Sequence, residues 1–114
     1  MIMDETSKNI IEFTKELIAI PSQSGVDSEI AIAKAVFNKL KSFGFNPEII
    51  GAENHPSVIC DIQKKNSHKT IWLESCLDTV SAGDLSKWKY PPFEGKIVDD
   101  KLYGRGANDS KIAI

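Results

Sequence analysis

Cys76 and Asp78 follow directly on a strand expected over residues 69 to 75, and Asp109 follows an expected hairpin at what reads as a helix start. A thiolate and carboxylates are zinc donors, at about 2.3 Å for sulfur and about 2.0 to 2.2 Å for oxygen. In open α/β sheets ligands collect at the carboxyl ends of strands, so these three residues are candidates to converge. A plainer reading stands beside this one. A cysteine at a strand end also serves as a buried structural residue, and an aspartate opening a helix also serves as its cap. Arg105, between Gly104 and Gly106, could hold a substrate, pair with a carboxylate or shape a tight turn. Glu74 reads as a strand residue and Glu94 as a loop residue, neither with motif support for catalysis. His55 and His68 read as solvent-facing, and Cys60 as a core residue of an alternating strand.

The elements that must position these groups are legible in the apolar periodicity. Ile10, Ile11, Phe13, Leu17 and Ile18 recur at helical spacing over residues 6 to 19, with Thr6 as the expected cap and Ile20-Pro21 as the stop. After the turn Ser22-Gln23-Ser24-Gly25, a second helix is expected from Asp27 to Phe43. Its stripe is Ile30, Ala33, Val36, Phe37, Leu40 and Phe43, and Gly44 stands at the C-terminal cap. Three strands follow, at residues 47 to 50, 57 to 62 and 69 to 75. Residues 81 to 95 form a structured loop whose Trp88, Tyr90 and Phe93 require a surface to pack on. A hairpin is expected from Lys96-Ile97-Val98, a turn at Asp99-Asp100, and Lys101-Leu102-Tyr103. The fold class is α/β, two helices followed by a mixed sheet.

Composition narrows the partners. The chain has 114 residues, 41% hydrophobic and 26% charged, with 14 Lys and Arg against 16 Asp and Glu. That is an ordinary globular balance, without the basic stripe that nucleic acid would require. Its longest apolar runs fall far short of the roughly 20 residues of a membrane span. The acidic, polar N-terminus does not read as a signal peptide, so a cytoplasmic location is expected. Two cysteines in that setting are expected as free thiols.

The ordered series Leu17 to Gly25, Phe43-Gly44-Phe45, Trp88, Pro92 to Ile97 and Lys101 to Lys111 resembles the N-terminal part of a zinc metallopeptidase family. That family includes aminoacylase, acetylornithine deacetylase, succinyl-diaminopimelate desuccinylase, dipeptidases and glutamate carboxypeptidase. The resemblance implies that residues 1 to 114 are a partial catalytic domain without the family's lid or dimerisation domain. It implies two metal ions, zinc or alternatively cobalt or manganese, and a small peptide or N-acyl amino acid as substrate. The family's first motif is His-x-Asp-Thr-Val, which aligns Cys76 with the ligand histidine and Asp78 with the catalytic-site aspartate that orients it. The second motif aligns Asp109 with the carboxylate that bridges the two metals. Cys76 has no second ring N–H for Asp78 to hold, so the carboxylate–histidine relay is missing. The family's general base and remaining ligands lie downstream of the aspartate matched by Asp109. The resemblance therefore leads to two expectations: a metal-dependent amide hydrolase represented in part, or a non-catalytic remnant or binding module that kept the fold. An apolar face left uncovered by so short a domain is expected to drive self-association or to take a complementing chain.

Overall fold

The computed structural model describes residues 3–114. Helix α1 spans Glu5–Ala19, and its cap is Asp4 rather than Thr6: the Asp4 carboxylate accepts the Ser7 backbone N–H at 2.7 Å. That bond holds the Asp4 carboxyl below its ordinary value of 3.8. Because the folded value is the lower one, the cap's contribution is complete above about pH 4 and is lost as pH falls through the depressed value. Asp4→Ala is therefore expected to lower the thermal midpoint at neutral pH. The gap between variant and parent should close under strong acid.

Helix α2 spans Ile30–Ser42, three residues shorter at its start than the periodicity predicts. Asp27 is used elsewhere: its Oδ2 accepts both the backbone N–H and the side-chain amide of Gln23, each at 2.9 Å. At the other end, Gly44 adopts φ +84, and the N–H groups of Gly44 and Phe45 donate to Lys41 and Leu40. This is a Schellman closure, which needs a left-handed residue at that position. Phe43, counted in the apolar stripe, is the C-cap residue and is exposed, whereas Ile32 is fully buried.

Strands β1 (Glu48–Ala52) and β2 (His55–Ile59) form an antiparallel hairpin, with Glu48 opposite Ile59 and Ala52 opposite His55. Strands β3 (Lys96–Val98) and β4 (Lys101–Tyr103) form a second. Its turn residues Asp99 and Asp100 have φ of 50 and 59, the paired left-handed geometry of a type I′ turn. The architecture is thus two helices followed by small antiparallel sheets. A single parallel bridge, Gln23 to Thr79, adds the only mixed pairing among the described residues. The strand expected at residues 69 to 75 joins no ladder. Ile71, Trp72 and Leu73 are consecutive and apolar, so a strand there must be covered on both faces, and they are 83%, 85% and 92% exposed.

The core is Leu17, Ile32 and Val36, with Phe13, Ile20, Leu40, Val58, Leu77 and Ile114 packed against it. Leu77 stands between Cys76 and Asp78. The apolar core thereby anchors the segment that carries them.

Candidate functional site

The segment after residue 75 is held to the turn that follows α1. The Thr79 N–H donates to the Ser22 carbonyl at 2.9 Å, and the Ser24 N–H donates to the Thr79 carbonyl at 2.8 Å. The Ser22 hydroxyl, fully buried, donates to the Leu77 carbonyl at 2.8 Å. Gln23 extends the seam by accepting the Ala82 N–H at 2.8 Å. These bonds fix the backbone on either side of Asp78.

The segment Gly104 to Lys111 lies against the first one. The Arg105 N–H donates to the Pro92 carbonyl at 2.7 Å, and the Lys111 N–H donates to Gly106 at 2.9 Å. Gly106 has φ +83, and a Cβ there would stand 2.8 Å from the Thr79 Cγ2. The Ser75 hydroxyl is 3.2 Å from that of Ser110, which in turn lies 3.4 Å from the Cys76 carbonyl. Ser75 and Ser110 therefore clasp the two segments together next to the candidate residues.

The result is a cleft of about 340 Å³ whose walls include Cys76, Asp78, Arg105, Asn108 and Asp109. All three sequence-predicted site residues line it. Cys76 is exposed, so it is not a buried structural thiol. Asp109 does not cap a helix: the terminal 3₁₀ turn, Lys111–Ala113, has Ser110 as its cap residue, with no side-chain cap bond. Asp109 is left exposed on the cleft wall. Arg105 stacks its guanidinium 5.0 Å from the centre of the Trp88 ring, and Trp88 is itself anchored by donating to the Ala82 carbonyl at 2.9 Å. Arg105 takes part in neither of the ion pairs found among the described residues.

Comparison with known proteins decides what this arrangement is similar to. No family model matches the chain. The succinyl-diaminopimelate desuccinylase of Ehrlichia chaffeensis is 37% identical over 103 residues, which is 89% of this chain and 26% of that protein. The enzyme of the same name from Ehrlichia canis is 33% identical over 106 residues, 91% of this chain and 27% of that protein. An M20 family metallo-carboxypeptidase from Sulfolobus solfataricus superposes with a TM-score of 0.78 at 31% identity, over 96% of this chain and 24% of that one. This chain resembles part of an M20-family metallopeptidase. It spans about a quarter of the length of these relatives.

A zinc ion takes four ligands, with at least three from protein even in catalytic sites. Among the described residues no group of three or more His, Cys, Asp or Glu side chains could hold a metal ion. Cys76 and Asp109 share the cleft, but these residues do not assemble a metal site by themselves. His55 supplies no missing donor: it is exposed and hydrogen-bonds to Glu29 at 2.9 Å. His68 is exposed in its turn, and Cys60 is half-buried one residue beyond β2, not in the core.

Sequence reasoning missed Lys111. Its ammonium is buried and donates to the carbonyls of Leu17 at 2.7 Å and Ile20 at 2.9 Å. Burial pushes its pKa down to about 8, against the opposing charge of Asp27. Lys111 thus ties the segment bearing Asp109 to the C-terminal end of α1, where helix carbonyls lack partners. The one signal for it was a lone charge opening the apolar run Ile112-Ala113-Ile114. Among the described residues no helix is long and apolar enough to cross a membrane.

Proposed function

We propose that this chain forms one wall of the active-site cleft of a metal-dependent hydrolase of amide bonds, acting as a peptidase, N-acyl amino acid deacylase or desuccinylase. The observation that carries the reading is the placement of Cys76, Asp78 and Asp109 on one cleft, in a fold shared with an M20 metallo-carboxypeptidase. In this reading Asp109 and Cys76 are metal ligands, and Asp78 keeps the supporting position from which a carboxylate would orient a histidine at residue 76. The metal is zinc, and the substrate is a small peptide or N-acyl amino acid. Ligands from these residues alone are too few, so the hydrolytic step itself is not assigned to them.

A second reading has its own observation. Cys76 stands where the resemblance implies a histidine, which favours a non-catalytic module that kept the fold. A chimera separates the two: this chain replaces the matching 103 residues of the Ehrlichia chaffeensis desuccinylase, and hydrolysis of an N-succinyl amino acid is followed with zinc supplied. The chimera carrying Cys76→His is expected to be active, with the native Cys76 lowering the rate at least ~10-fold and Asp109→Ala lowering it ~100-fold or more. A folded Cys76→His chimera with no activity, beside an active parent enzyme, would favour the non-catalytic module.

A further inference from the structure

Among the described residues, two side-chain polar atoms are buried without a hydrogen-bond partner, Thr79 Oγ1 and Arg105 Nε, and both residues line the same cleft. The atoms that cover them belong to the chain itself. A buried donor without an acceptor is costly, and a wall that served packing alone would avoid it. Arg105 is also the only arginine in the sequence, every other cationic side chain apart from the histidines being a lysine. Its guanidinium lies over the Trp88 ring, 5.0 Å from the centroid, and its backbone N–H donates to the Pro92 carbonyl at 2.7 Å. The Trp88 indole is fixed in turn by the Ala82 carbonyl. So held, the cation shares a cleft with Asp78 and Asp109 and forms an ion pair with neither.

We propose that Arg105 sets specificity in this cleft by receiving the free carboxylate of an N-acyl amino acid, an assignment that rests on reading the cleft as a substrate site. Nε is covered, so the ligand meets the two terminal nitrogens. Their N–H groups lie in one plane, at a spacing that matches the two oxygens of a carboxylate. Stacking on Trp88 orients that plane before a ligand arrives, so less side-chain freedom is lost on binding. A lysine would bring the charge without the fork or the stack. Because the cation and the two carboxylates stay apart on one cleft, they also select for the ligand's direction. An anion is attracted at Arg105 and repelled beside Asp78 and Asp109. An amide of the same acid keeps the shape of the ligand and loses the charge-assisted pair.

Nuclear magnetic resonance on the full chain, without metal and at constant ionic strength, tests this with N-acetylglycine and N-acetylglycinamide as the probes. With one arginine in the sequence, the Arg105 Nε–H gives a single side-chain signal, and the Gly104 and Gly106 amides report beside it. N-acetylglycine is expected to shift these signals saturably, and the uncharged amide to bind at least ~10-fold more weakly. Arg105→Lys should weaken carboxylate binding at least ~10-fold, and Arg105→Gln should remove the discrimination between the two probes. The comparison of probes on the parent chain stands whether or not the variants fold. The proposal is overturned if N-acetylglycine gives no saturable shift, if both probes act alike, or if a folded Arg105→Lys binds the carboxylate as tightly as the parent. Its failure is distinct from that of the hydrolase reading. An inactive chimera beside intact carboxylate binding would sink that reading alone, and an active chimera beside absent binding would sink this assignment alone.

Discussion

Alanine at Gly106 is expected to destabilise the chain by about 3 kcal/mol, from left-handed strain of about 1–2 kcal/mol and overpacking of about 1–3 kcal/mol. Both causes act at one atom. With φ at +83, an added Cβ adopts a backbone region that L side chains avoid, and it points at the Thr79 Cγ2 only 2.8 Å away. Retreat on the other side is limited, because the Lys111 Cγ and Cδ lie 3.2 and 3.1 Å from the same position. Thr79 is held at both backbone groups by Ser22 and Ser24, so it cannot give way cheaply. The denaturant midpoint should fall while the dependence on denaturant keeps its slope. A variant as stable as the parent would mean that the two cleft segments are not in the contact described. Asn at the same position should cost less than Val, since Asn tolerates the left-handed region and Val does not.

Lys111→Met is expected to destabilise by about 2–3 kcal/mol, because a buried acceptor left without a donor costs about 1–3 kcal/mol. Met keeps much of the aliphatic bulk, so the change isolates the ammonium. The Ile20 carbonyl would lose the partner found for it, and Leu17 would keep only the 3.3 Å bond from the Ile20 N–H. Relief from burying a charge offsets part of that loss, which is why the figure stays below that of two full orphaned acceptors. Hydrogen exchange supplies a second readout. Amides at the end of α1 and in the Gly104 to Lys111 segment should lose protection together, since Lys111 is the tie between them. Loss confined to either one would show that the tie is not what holds the segment.

How far the sequence reached differs from element to element. Helix α1 was legible because its period is local, yet its cap was misplaced by two residues: Thr6 and Asp4 both carry suitable oxygens. The start of α2 was misplaced because Asp27 serves Gln23, a pairing that depends on the turn between the helices. The β3–β4 hairpin was read to the residue, since Asp99-Asp100 between two short apolar-containing runs is a strong turn signal. The strand at residues 69 to 75 was read from composition that is correct for a covered strand. Without a neighbour on either edge, composition alone makes no ladder.

The candidate site divides in the same way. Motif spacing named Cys76, Asp78 and Asp109 and the family they resemble, because those features lie in short contiguous stretches of the chain. Their arrangement on a single cleft depends on bonds between residues far apart in sequence. Ser22 meets Leu77 and Thr79, Ser75 meets Ser110, and Lys111 reaches back to Leu17 and Ile20. The sequence by itself determined the helices, the hairpin turn and the chemical types at the site, since each follows from periodicity or from the local demands of a turn. Only the tertiary structure decided that Asp109 faces the cleft instead of capping a helix, that Lys111 is buried, and that residues 71 to 73 join no ladder. Each of those outcomes is set by which distant backbone groups need a donor and which apolar side chains find cover, and neither need is written in any one stretch of the chain.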